Sequence, residues 1–128
     1  MENKEFAKQL ERRTRIFAIS IIKLSSSLPN TPEGRVIRNQ MTKSGTSVGA
    51  NYRDANRSRS KPDFSNKITI CESEASETGY WIELIEELAW SESQNIHSIM
   101  AEANELLAIF TSIGTKLKLE VPKVIKSA

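Results

Sequence analysis

A second cysteine, a second histidine, a long apolar run and a phosphate-binding loop are all missing from this chain of 128 residues. Cys71 has no partner for an internal disulfide, and one thiol makes no metal site; its place on an apolar seam reads as core filling. His97 stands alone, so no nucleophile–histidine–acid set can be argued around it. A di-metal carboxylate bundle would want Glu-x-x-His pairs on two helices, which one histidine cannot supply. No metal, cofactor or catalytic residue is therefore expected, and the protein reads as a non-enzyme. Apolar runs fall well short of the roughly 18 residues that a membrane span needs. The opening MENKEFAKQLERR alternates charges and lacks the apolar core of a signal peptide, so the expected address is the cytoplasm. The stretch GTSVGAN has glycines but not the GxxxxGK[ST] spacing, and follows no strand. Aromatic residues make up only 6%, which leaves little for stacking on bases.

Charge is what the chain has, unevenly placed. Residues 1–61 hold 13 Lys and Arg against 5 Asp and Glu, a balance of +8, while residues 62–128 hold 5 against 11, or −6. Such a division suits a basic face for a polyanion, association of basic with acidic faces, or neutralisation of the halves inside one bundle.

Four helical patterns account for the chain. In the first, about residues 4–27, Phe6, Leu10, Phe17, Ile21, Leu24 and Leu28 mark one face, and Ile16, Ile19 and Ile22 widen the apolar surface beyond it. Leu28-Pro29-Asn30 breaks that helix. Thr31 suits the N-cap and Pro32 the first position of a second helix, about 32–57. Its core face is Ile37, Met41, Ser44, Val48 and Ala55. At about 100° per residue, Arg35, Arg38, Arg53 and Arg57 gather on the other side as an exposed arginine stripe. Gly45 and Gly49 each cost about 1 kcal/mol of helix propensity against alanine, a cost that close packing of a neighbouring helix would offset.

Ser60-Lys61-Pro62-Asp63 fits an S-x-x-D start for the third helix, about 61–89. Its main seam runs Phe64, Ile68, Cys71, Ala75, Thr78, Ile82, Ile85, Ala89 in alternating steps of four and three, the spacing of a left-handed bundle. A second seam with the same steps runs Ile70, Glu74, Glu77, Trp81, Leu84, Leu88. Two seams imply two neighbours. Glu74 and Glu77, set into that second stripe, call for a partner; Asn51 and the arginines of the second helix are the candidates. Ser91 to Gln94 forms a polar turn that can cap a fourth amphipathic helix, about 94–117, followed by a basic tail, 118–128. With no strand pattern and short loops, the expected fold is all-α, an antiparallel up-down four-helix bundle in one domain.

These residues also resemble a family. The run from Gln40 to Leu88, with Ser44 and Ser47–Asn51 matching SxxSVxAN, Arg59-Ser60 at the turn, and Glu74 with Glu77 on the third helix, is similar to the bacterial four-helix-bundle proteins encoded in intervening sequences of 23S rRNA genes. The likeness extends over roughly residues 6–117. It implies relatives that include the accessory protein of diversity-generating retroelements, and with them a homopentamer, affinity for RNA or DNA, and a nucleic-acid enzyme as partner. The expectations that follow are phosphate contacts from Arg35, Arg38, Arg53, Arg57, Arg59 and Lys61, and a buried or interfacial polar network of Asn51, Glu74 and Glu77. An oligomer interface is expected through Ile16, Ile19, Ile22, Ile70, Trp81, Leu84 and Leu88. The rival expectation is a protein-interaction scaffold that binds no nucleic acid directly.

Overall fold

The computed structural model describes residues 4–120, which form four helices and, among the described residues, no strand: α1 Lys4–Ser26, α2 Pro32–Ala55, α3 Lys61–Glu87 and α4 Ser93–Leu119. The starts of α2 and α3 are built as their sequences dictate. Thr31 is in extended conformation and its hydroxyl accepts from the Gly34 amide at 3.0 Å, with Pro32 in the first turn. Ser60 accepts in the same way from Asp63 at 3.2 Å. The fourth helix differs from expectation: its N-cap is Glu92, which makes no side-chain cap bond, and Ser93 already lies inside the helix.

Helix ends fall within two residues of those the sequence predicts, and the early stop of α3 has a clear cause. The third helix stops at Glu87 because Ala89 adopts φ 55°, and the amides of Ala89 and Trp90 turn back to Glu86 and Ile85 at 3.1 Å. This is a Schellman closure formed without the usual glycine. It leaves Ala89 exposed, while the seven earlier members of the α3 seam are buried. The basic tail proper, with Pro122, Lys123 and Lys126, lies outside the described residues; Lys116 and Lys118 belong to the last turn of α4.

Each helix packs antiparallel to the next. Residue numbers rise along α1 as they fall along α2, with Thr14 against Gly49, Ile21 against Gly45 and Ser25 bonded to Thr42. The same holds between α2 and α3 (Ser44 to Thr78, Val48 to Cys71) and between α3 and α4 (Glu72 to Thr111, Glu86 to His97). The up-down bundle is thus as expected. Its core runs from Leu10 and Phe17 through Met41, Val48, Ile68 and Ile82 to Leu106 and Phe110, with Tyr52 edge-on to Phe110 across the diagonal at 5.5 Å between ring centroids. Buried hydroxyls are satisfied inside it: Thr14 donates to the Leu10 carbonyl at 3.0 Å, and Thr78 Oγ1 lies 2.9 Å from Ser44 Oγ.

The two glycines of α2 work as spacing demanded. A Cβ on Gly45 would lie 2.7 Å from Ile21 Cγ2, and one on Gly49 would lie 3.1 Å from Thr14 Oγ1. Their hydrogens let α1 and α2 approach closely. By contrast, α1 and α4 touch only thinly. Arg13 bridges them, its guanidinium reaching Glu102 at 2.7 Å and Glu105 at 2.6 Å. Both carboxylates hold the Arg13 pKa above its ordinary value.

Candidate nucleic-acid interface

Because α2 alternates small core residues with arginines half a turn away, its polar side flanks the groove shared with α1. The four arginines of the stripe end in different states. Arg38 is half-buried and its Nε donates to the Ser25 carbonyl at 3.0 Å, tying α2 to the end of α1. Arg35 is exposed and donates to Asn30 Oδ1 at 3.2 Å. Arg53 and Arg57 are exposed and enter no ion pair among the described residues. The stripe therefore divides into a structural half beside the α1–α2 turn and a free half near the α2–α3 turn.

The free half faces an arginine outside the predicted stripe. Arg53 and Arg57 line one wall of a cleft whose other wall is Arg15 of α1, with Glu11 at its edge. Thr14, Ala18, Thr46, Gly49 and Ala50 form the floor. The absence of large side chains along both helices is what opens it. Only the α1–α2 packing brings Arg15 to this wall; of its neighbours in the basic run Arg12-Arg13-Thr14-Arg15, Arg13 goes to α4 instead. Glu11 is engaged by Asn56, whose Nδ2 donates to it at 2.9 Å.

A second concavity continues from the first around the end of the bundle. Lys4 and Lys8 from the start of α1 meet Arg59 and Lys61 of the α2–α3 turn there, over Ala7, Ala55 and Phe64. Lys61 Nζ lies 3.8 Å from Glu120, a loose and exposed pair. The antiparallel topology sets the start of α1, the α2–α3 turn and the end of α4, with Lys116 and Lys118, at this one pole. The opposite pole receives Glu83, Glu86, Glu87 and Glu92. Lys23, Arg35 and Arg38 share that second pole, so the two ends differ in balance of charge and the first is the more basic.

The second seam of α3 lies beside α2 and outside the core. Asn51 is half-buried and donates to the Ser47 carbonyl at 2.9 Å, within its own helix. Glu77 is exposed and accepts from Trp81 Nε1 at 3.1 Å. Glu74 is half-buried; burial pushes its carboxyl pKa up, Glu77 adds to the rise, and Lys43 opposes it. Within one chain the three do not bond to one another, and no arginine of α2 reaches either glutamate. Trp81 and Leu84 are half-buried, and Ile70 and Leu88 remain 39% and 49% exposed. On α1, Ile16, Ile19 and Ile22 are 51%, 47% and 46% exposed, a second uncovered apolar face.

Groups suited to chemistry are otherwise engaged. Cys71 is buried, and desolvation pushes its thiol pKa up to about 12. His97 Nε2 lies 3.0 Å from Glu86 on the surface. Among the described residues no three His, Cys, Asp or Glu side chains converge as metal ligands, and no helix is long and apolar enough to cross a membrane.

Residues 5–112 match the model of the 23S rRNA-intervening sequence protein family. The chain belongs to that family. A crystal structure of a protein of unknown function from the S23 ribosomal protein family of Bacteroides thetaiotaomicron superposes with a TM-score of 0.75 at 35% identity, covering 81% of this chain and 96% of that one. No curated protein matches. As a member of the 23S rRNA-intervening sequence family, the chain keeps the family fold over nearly its whole described length.

Proposed function

We propose that this protein is a non-enzymatic, cytoplasmic, homo-oligomeric member of the family that binds RNA or DNA through the phosphate backbone, as an accessory to a nucleic-acid enzyme. The observation that carries the reading is the cleft between α1 and α2, where Arg15, Arg53 and Arg57 stand without acid partners over a floor of small residues. Arginine forks suit phosphate oxygens, and a cleft floored by glycine and alanine lets a backbone come close. Lys4, Lys8, Arg59 and Lys61 extend the positive surface around the pole. Arg35 and Arg38 serve the fold at the other end of the stripe and contribute field more than contact. With no aromatic side chain among the cleft residues, binding is led by phosphate and is weakly selective for sequence. The family's name carries 23S rRNA, and the Bacteroides neighbour is assigned to a ribosomal protein family, which makes RNA the first polyanion to test. The two exposed apolar faces support the self-association in this reading.

The test is fluorescence anisotropy with a single-stranded RNA at several salt concentrations. Arg53→Ala with Arg57→Ala should weaken binding to every sequence about equally. It should also lower the log-log salt slope by about 0.7 for each phosphate no longer neutralised on a single strand, or about 0.9 on duplex DNA. A double variant that binds with the parent's affinity and slope removes the cleft as a phosphate site. A double variant that falls apart in light scattering assigns these arginines to subunit contacts, and the scaffold reading replaces this one.

A further inference from the structure

The concavity at the more basic pole differs in kind from the cleft that leads to it. Its volume is about 710 Å³ against 360 Å³, within the range of sites that hold small ligands. Its floor is apolar, with Ala7 of α1, Ala55 of α2 and Phe64 of α3. Around that floor stand Lys4 and Lys8, one turn or ~6 Å apart along α1, with Arg59 of the α2–α3 turn and Lys61 at the start of α3. All four cations are exposed, and among the described residues only Lys61 meets an acid, Glu120 at a loose 3.8 Å. Glu11, the carboxylate in the lining, is held by Asn56 at 2.9 Å. Because α1 and α3 are diagonal in the bundle, their starts stand apart, and the concavity is the gap between them.

The interior of a strand has no use for such a place. A phosphodiester carries one charge and offers an apolar floor nothing to cover, and an internal base already stacks on both its neighbours. The end of a strand is different. A terminal phosphomonoester carries about −1.5 to −2 at pH 7, and the base beside it has one face without a neighbour. Four cations around an apolar floor match that pairing of concentrated charge with an uncovered base. The start of α3 adds the positive end of a helix dipole to the same wall. The cleft also delivers a strand here, since Glu11 borders both hollows. Its walls are unlike, with Arg15 on α1 against Arg53 and Arg57 on α2, so a strand lies in it in one direction and brings one of its two ends to the pole.

We propose that this concavity seats the phosphorylated end of an RNA or DNA strand, its terminal phosphate among Lys4, Lys8, Arg59 and Lys61 and its last base over Ala7, Ala55 and Phe64. The inference rests on the nucleic-acid reading of the proposed function and names which part of the strand is held where. It is tested by calorimetric titration with short unlabelled RNAs of one sequence, ending in uridine, that carry hydroxyls at both ends, a 5′-phosphate or a 3′-phosphate. One of the two phosphorylated strands should bind at least roughly tenfold tighter than the hydroxyl-ended strand, the worth of a single charge-assisted hydrogen bond. An abasic nucleotide at that end should lose most of the gain. Lys8→Gln with Arg59→Gln, both at exposed positions and checked for helicity by circular dichroism, should bind all three strands alike. Arg53→Ala with Arg57→Ala should weaken all three and keep their ratio. If the glutamine chain loses helicity, Lys4→Gln with Lys61→Gln reads the same rim. No binding by any strand overturns the proposed function and this subsite with it. Binding without preference for an end, equal gain from both ends, a preference that survives the glutamines or an abasic end that keeps the whole gain overturns the subsite alone. Uridine monophosphate bound as tightly as the phosphorylated strand replaces the strand end by a free nucleotide, and an acidic peptide bound as tightly replaces it by a protein; either result overturns the proposal.

Discussion

Glu74 carries a carboxyl that the fold makes harder to ionise, through burial first and Glu77 second. Its raised pKa means that the folded chain binds a proton more readily there than the unfolded chain does. Stability on this account falls as pH rises from the unfolded carboxyl value, about 4.3, through the folded one, and the full penalty is present above both. Glu74→Gln should thus stabilise the chain at pH 7, by less than about 1 kcal/mol for a half-buried group, and should make no difference at pH 3. Urea denaturation at both pH values measures it; an equal effect at the two would assign the gain to something other than charge.

At the scale of the helix, closeness and openness are set by hydrogen atoms where a methyl could stand. Gly45→Ala gains helix propensity but drives a Cβ to within 2.7–3.0 Å of three Ile21 atoms, so overpacking should outweigh propensity and cost about 1–3 kcal/mol. Gly79→Ala meets nothing within 4 Å and should stabilise by roughly 0.5–1 kcal/mol. Thermal unfolding of the two variants side by side checks the opposition of sign. The sequence made the elements legible because period, proline and N-cap agreed at each boundary; the α2 glycines could be read as a close approach because their propensity cost needed an offset. Ala89 could not be read as a stop, since alanine continues a helix by every local rule and its left-handed turn is imposed by Trp90 packing back onto the core. Likewise the arginine stripe was visible as a period, but its division was not. That Arg38 bonds to Ser25 while Arg15 crosses to face Arg53 depends on how two helices meet, and no spacing along either one records it.

Taken whole, the bundle is unevenly closed. Three helix pairs pack along their length, while α1 and α4 meet only thinly, and the ion pairs between them join one arginine to two carboxylates with side chains 34%, 30% and 61% exposed. So exposed a bridge contributes about 1 kcal/mol or less. Arg13→Gln should therefore scarcely change global stability, yet it should speed amide exchange along α1 and α4 more than along α2 and α3. Exchange that quickens uniformly across the four helices would mean that the seam is not a separate opening unit.

Cations outnumber carboxylates most at the pole shared by the start of α1, the α2–α3 turn and the end of α4, so the molecule has a front and a back. A polyanion drifting toward it would be turned by that field before any contact formed, and would reach the basic end first.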